Sequence, residues 1–232
     1  MVTRPADQSK ALVSALRRLG AHAIVAPAIE IVPARSAALT RALHDLEAGA
    51  FSWMTLTSRA TVEMLSTRLP APSALGATEV AAIGDGTAEA FRRWARRRPD
   101  LVPATFTTAG LARAFPRGTG RVLCARADIA PEGLEEALAA KGWSPTRVDA
   151  YRTRMPRALP AEARQALRSG AVDAITFTSA STVRGFVGAL GSVKGPPKVV
   201  CIGPVTAAEA RARGLTVHAV ATPHTIDGLV EA

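Results

Sequence analysis

Residues 83–88, Ile83-Gly84-Asp85-Gly86-Thr87-Ala88, return near the end of the chain as Ile202-Gly203-Pro204-Val205-Thr206-Ala207, 119 positions later. Each hexapeptide closes a short apolar run (Glu79–Ile83, Lys198–Ile202) and opens a helix-patterned one. Each therefore reads as a strand, a tight glycine turn and a helix start. Working outward, the pairing continues in order. Thr57-Ser58 and Thr61-Val62 return as Thr178-Ser179 and Thr182-Val183 at an offset of 121. Arg4, Leu12, Leu16 and Gly20 return as Arg126, Leu134, Leu138 and Gly142 at 122, and Thr107, Gly110 and Leu111 as Thr225, Gly228 and Leu229 at 118. A slow drift with the order kept is what loop deletions leave in a duplicated unit; a solenoid would repeat every ~20–50 residues.

Each copy alternates strands and helices. Gln8–Leu19 carries Leu12, Leu16 and Leu19 on one helical face, with Gly20 placed to end it. Strands are expected at His22–Pro27, Phe51–Thr57, Glu79–Ile83 and Leu101–Thr105 in the first copy, and at Arg121–Ala125, Asp173–Thr178, Lys198–Ile202 and Thr216–Val220 in the second. That alternation implies two doubly wound α/β domains, each a parallel sheet covered on both faces. Two extended segments break it, Ala28–Pro33 and the stretch from Val148. They are candidates for interdomain linker strands, punctuated by Pro33 and Pro156.

Hydrophobic residues are 48 % of the 232 but aromatics only 4 %, so the cores must be aliphatic. The formal charge of +10 suits an anionic partner. Cys124 and Cys201 are far apart and outside any CxxC or Cys/His cluster, so neither a metal site nor a redox pair is expected. A reducing, cytoplasmic compartment is the natural reading. No apolar run approaches the ~20 residues of a membrane span. The opening residues lack a signal-peptide pattern. The run Arg92-Arg93-Trp94-Ala95-Arg96-Arg97-Arg98 spreads around the exposed side of a helix end. It lacks the aromatic platforms of a nucleic-acid binder.

In open α/β sheets ligands bind beyond the carboxyl ends of the strands. Thr57-Ser58 and Thr178-Ser179 fall there, as helix caps or as anion contacts. Gly84 and Gly203 allow close backbone approach, with Thr87 and Thr206 at the helix starts. Neither turn is a dinucleotide fingerprint. Arg4, Arg59, Arg121 and Arg126 lie near expected strand ends, where a carboxylate-rich ligand would want them. His22, His44, His218 and His224 show no ligand spacing and read as structural or surface residues. No nucleophilic triad or carboxylate pair recurs in both copies.

Val2-Thr3-Arg4-Pro5, the two Thr-Ser pairs, Ile83-Gly84 with Thr87-Ala88, Tyr151-Arg152-Thr153, Ile202–Ala207 and Thr225-Ile226-Asp227-Gly228-Leu229 together resemble the uroporphyrinogen-III synthase family. The likeness spans essentially the whole chain. It implies two similar flavodoxin-like domains exchanging their first strand–helix–strand: 1–27 plus 155–232, and 34–147, joined by a two-stranded linker of 28–33 and 148–154. It implies a monomer without cofactor or metal, binding neither nucleic acid nor membrane. Its substrate would be hydroxymethylbilane, a linear tetrapyrrole with eight carboxylates. The reaction would lose water from the hydroxymethyl group, invert ring D through a spiro intermediate and close the ring. Tyr151 matches the family's linker tyrosine, which faces the cleft and assists departure of hydroxide. Arg4, Thr57, Ser58, Arg59, Gly84, Thr87, Arg126, Thr178, Ser179, Gly203 and Thr206 would contact substrate. Relative to the family, only Met1 and Val2 precede Thr3-Arg4-Pro5, and the last helix is short. The competing readings are a two-lobed small-anion sensor without catalysis, and a nucleic-acid binder built on Arg92–Arg98.

Overall fold

The computed structural model describes residues 1–191 and 197–232. In chain order the elements are α1 (Lys10–Arg18), β1 (Glu30–Pro33), α2 (Ala37–Glu47), β2 (Trp53–Leu56), α3 (Arg59–Ser66), β3 (Glu79–Ala82), α4 (Asp85–Ala95), α5 (Thr108–Ala114) and β4 (Arg121–Ala127). There follow α6 (Leu134–Ala139), β5 (Ser144–Arg154), α7 (Ala161–Ser169), β6 (Ala174–Phe177), α8 (Ala180–Ala189), β7 (Lys198–Cys201), α9 (Pro204–Ala212), β8 (Val217–Val220) and α10 (Ile226–Glu231). The chain divides into two compact units. One is discontinuous, Met1–Glu30 with Thr153–Ala232; the other is continuous, Ile31–Arg152.

The sheet of the continuous unit has the order β1-β5-β4-β2-β3, and its β5/β4, β4/β2 and β2/β3 pairs are parallel. A parallel bridge from Ala81 to Leu101 extends it past β3. In the discontinuous unit β6, β7 and β8 pair in parallel, and Val2 bridges in parallel to both Thr176 and Val25. The two arrangements match position for position: Val25, Val2, β6, β7, β8 in one, β5, β4, β2, β3, Leu101 in the other. The first strand–helix–strand of each sequence copy therefore completes the sheet built by the later part of the other.

Strand alternation puts a core on each face. In the continuous unit Met54, Leu56, Leu123 and Ala125 pack with α2, α3 and α4, while Trp53, Val122 and Cys124 pack with α5 and α6. In the discontinuous unit Ile175, Phe177, Val199 and Cys201 face α7, α8 and α9; Val2, Ala23 and Ala221 face α1 and α10. Both sheets are thus buried on both sides, as parallel sheets require. Gly20 and Gly142, a repeat pair, take φ of 82° and 100° just after α1 and α6, where a side chain would be strained.

Two expected strands are shorter than their apolar runs. His22–Pro27 contributes one bridge, at Val25, although Val2 N–H donates to Ile24 O at 2.9 Å and Ala26 N–H to Val2 O at 2.8 Å. Its partner ends at Pro5, so the ladder has nothing further to pair with. Leu101–Thr105 likewise contributes only Leu101, and Pro103, lacking an N–H, follows two residues on. The extended segments are β1 and the end of β5, which lie side by side in the sheet.

Candidate functional site

At the carboxyl edge of the continuous unit, β2 ends at Leu56 and the chain turns through Thr57 into α3. Ser58 caps α3: its Oγ accepts from Thr61 N–H at 3.0 Å. The same oxygen shares hydrogen bonds with Thr61 Oγ1 at 3.0 Å and Tyr151 Oη at 3.1 Å. Tyr151 reaches it from β5 because of a register shift. Arg126 pairs with Asp149 but Ala127 pairs with Tyr151, so Ala150 is an inserted residue. In a regular strand Val148 and Tyr151 would point to opposite faces. The bulge turns the tyrosine back, and Val148, Ala150 and Tyr151 all enter one core.

Tyr151 is 7 % exposed. Burial raises its pKa above the usual phenol value; the Ser58 hydrogen bond opposes this, and the Asp128 and Glu63 carboxylates add to it. The group is therefore a neutral phenol at physiological pH, able to donate a proton. Its hydroxyl contact to Ser58 offers a means of stabilising the phenolate that donation leaves behind.

Gly84 is the N-cap of α4, and Gly203 that of α9. Among the described residues no side chain caps either helix. Both glycines are extended, with φ of 178° and −173°, so any residue could adopt their conformation. Space is what selects glycine at 84: a Cβ there would lie 2.8 Å from Phe106 Cγ. At Gly203 it would lie 3.4 Å from the ring of His224. Arg59 lies over the same turn as Gly84, its Cδ 3.7 Å from where a Cβ on Gly86 would sit. Its ion pair with Glu63 is long, 4.0 Å, and about half exposed, so it leaves the guanidinium available.

In the discontinuous unit Thr178 follows β6 and Ser179 closes a capping box with Thr182. Here Ser179 Oγ meets Ser181 Oγ at 2.9 Å instead of a phenol. Arg4 follows the Val2 bridge at the same edge, with Nη2 donating to Gln8 Oε1 at 3.4 Å.

Several sequence-predicted contacts are placed differently. Thr87 and Thr206 are 5 % and 4 % exposed; they are the third residues of their helices and turn inward. The backbone amides at those starts remain for a ligand. Arg126 is 1 % exposed, and its Nη1 donates to both Glu135 oxygens, at 2.9 and 3.2 Å. It is a buried structural ion, not a free clamp. Arg121 begins β4, so it sits at the opposite edge of the sheet, paired with Asp45 at 2.9 Å and stacked on Phe51. Phe106 lies on the Gly84 turn and His224 on the Gly203 turn, and each precedes a paired threonine, Thr107 or Thr225, that caps a helix. No group of His, Cys, Asp and Glu among the described residues could hold a metal ion, and no helix among them is long and apolar enough to cross a membrane.

The model of the family uroporphyrinogen-III synthase HemD matches residues 10–231. The chain belongs to this family. A uroporphyrinogen-III synthase from Synechococcus elongatus is 30 % identical over 99 % of the chain and 92 % of that protein. A porphyrin biosynthesis protein HemD from Ruminiclostridium josui is also 30 % identical over the whole chain, which spans about half (47 %) of that longer protein. Among solved structures, a mutant uroporphyrinogen III synthase from Thermus thermophilus aligns over 99 % of the chain and 94 % of its own, with a TM-score of 0.67 and 21 % identity. A uroporphyrinogen-III synthetase from Helicobacter pylori aligns over 88 % of each chain, with a TM-score of 0.61 and 18 % identity. At that identity the structures show a shared mixed α/β fold with parallel-sheet units. Membership in the uroporphyrinogen-III synthase family makes the chain a cyclising lyase of tetrapyrrole biosynthesis.

Proposed function

We propose that this chain converts hydroxymethylbilane to uroporphyrinogen III, losing one water from the hydroxymethyl group and closing the ring with ring D inverted. One observation carries the mechanism: a buried, neutral Tyr151 phenol held against Ser58 at the ligand-binding edge of a parallel sheet. Tyr151 donates its proton to the departing hydroxide, and Ser58 stabilises the phenolate. The cationic azafulvene that remains is reclosed on the substrate's own pyrrole, so the protein needs no nucleophile of its own. Its work is to bend a flexible chain and exclude water.

Eight carboxylates demand cationic and amide contacts. The net charge of +10, the exposed Arg59 and the side-chain-free N-termini of α4 and α9 support such binding. Thr57, Ser58, Arg59, Gly84, Thr178, Ser179, Gly203 and Arg4 are the assigned contacts. The two compact units act as domains, with 28–33 and 148–154 as the strands that join them. The protein works as a cytoplasmic monomer without cofactor.

The decisive assay supplies hydroxymethylbilane made in situ and separates the product isomers. Type III product is expected; purely type I product at ample enzyme rejects the assignment. Tyr151→Phe is expected to lower turnover by ~10²-fold or more, the usual range for a general acid, while leaving product affinity within about twofold. An undiminished rate removes Tyr151 from the mechanism.

A further inference from the structure

Six phenylalanines occur in the chain, and Phe51, Phe91, Phe115, Phe177 and Phe186 are all at most 3 % exposed. Phe106 is 52 % exposed. Burying such a side chain is favourable, and about half of that gain is forgone here. Yet the ring is not loose: one side lies against Gly84, close enough that a Cβ would meet its Cγ at 2.8 Å. The other unit repeats the arrangement with a different ring. His224 lies on Gly203, and its Nδ1 is 2.7 Å from Ala221 O. Only a protonated Nδ1 can make that contact to a carbonyl, so Nε2 is the nitrogen left for another partner. Phe106 and His224 both immediately precede a capping threonine, 118 positions apart. Both sit beside a helix N-terminus that no described side chain caps.

Taking the proposed function as its basis, we propose that Phe106 and His224 are a duplicated pair of substrate-contacting platforms. Phe106 stacks on the face of one pyrrole; His224 stacks on a second, and its Nε2, the acceptor nitrogen when Nδ1 carries the proton, accepts a pyrrole N–H. The chemistry fits the ligand. A pyrrole presents a flat, electron-rich face with carboxylate arms at its rim. Beside each ring the structure offers an apolar face and, within the same turn, the amides of a helix start. Glycine at 84 is then explained by the ring it carries, since the extended backbone there does not require it. Gly203 tolerates more than Gly84, because 3.4 Å is an ordinary contact and 2.8 Å is not.

The test measures binding of uroporphyrin III, a planar octacarboxylate tetrapyrrole, by its own fluorescence, beside the isomer assay on wild-type protein. Phe106→Ala is expected to weaken binding about 5- to 30-fold, the range of an aromatic stacking contact. Phe106→Tyr is expected to stay within twofold of wild type and Phe106→Leu to fall with alanine. His224→Ala is expected to weaken binding at least fivefold, and His224→Phe to recover part of that loss. Phe106 is half exposed and His224 makes one bond to Ala221 O, so thermal midpoints should fall by only about 2–4 °C, leaving the variants folded at the binding temperature, which separates contact from folding. Phe106→Ala and His224→Ala binding within twofold of wild type overturns the inference. If wild type makes the type III isomer, that result leaves the assigned reaction standing. If wild type makes only type I, it is the assigned reaction that fails, whatever the variants bind.

Discussion

Replacing Glu135 with alanine strands a cation inside the continuous unit. Arg126 is 1 % exposed, and its Nη1 bonds go to the Glu135 carboxylate. Its Nε is buried and makes no hydrogen bond among the described residues. Arg147, 4.0 Å from the same carboxylate, would lose its counterion as well. Removing one partner of a buried pair costs about 3–5 kcal/mol, whereas replacing both by apolar residues of similar volume is often neutral. Glu135→Ala should therefore lose about 3–5 kcal/mol and Arg126→Met/Glu135→Leu no more than about 1. With a urea slope near 2 kcal/mol/M, the single variant's midpoint falls by about 1.5–2.5 M. Trp53, Trp94 and Trp143 all lie within Ile31–Arg152, so tryptophan fluorescence follows this unit alone. A midpoint shift under about 0.3 M, with product formation abolished, would refute the reasoning: Arg126 would then serve a ligand, as its place in the repeat suggests, and not the fold.

Ser58→Ala and Ser179→Ala each remove a helix cap and should each cost about 1 kcal/mol. Only Ser58 also holds the tyrosine, so at equal stability loss it should lower turnover far more; equal turnover in the two variants would contradict the assignment. Gly185→Ala puts a Cβ 1.8 Å from Ala28 O, which only a backbone shift relieves. It should destabilise the discontinuous unit by about 3 kcal/mol or more, seen by far-UV circular dichroism, since no tryptophan reports there; an unchanged melt counts against this packing. Burial pushes the Cys124 thiol up to about 11 from 9.0. The stability it contributes is complete below pH 9 and is lost as pH climbs through 11. A thiol reagent at about pH 8 should label neither buried cysteine until urea unfolds the chain, and rapid native labelling would show that these strands open.

Much of the fold was legible because duplication supplies an internal alignment. Residues that recur in order, Thr57-Ser58 and Thr178-Ser179 or Gly84 and Gly203, sit at equivalent strand ends in the structure. What pairwise recurrence conceals is environment. Arg126 recurs with Arg4 as two letters, and nothing in those letters says that Glu135 is waiting at the start of α6. Thr87 and Thr206 recur and both fill the same inward position, which their letters do not show. The Tyr151–Ser58 contact depends on one inserted residue, Ala150, and a bulge leaves no compositional trace. Phe106 and His224 share no letter, because the repeat preserves a ring there without preserving its identity.

The exchange of strands also bears on how the polypeptide emerges from the ribosome. Residues 31–152 contain nearly all of their own sheet, so their strand partners are complete once they have been translated. The first thirty residues cannot, because Val2 needs Thr176 beside it. At ~5–20 residues per second, that leading segment waits out the synthesis of the whole continuous unit, Ile31–Arg152, its apolar Val2, Ile24 and Val25 without a sheet to join. A circular permutant that opens in the continuous unit's surface loops and fuses Ala232 to Met1 would bring the late-pairing pieces out together.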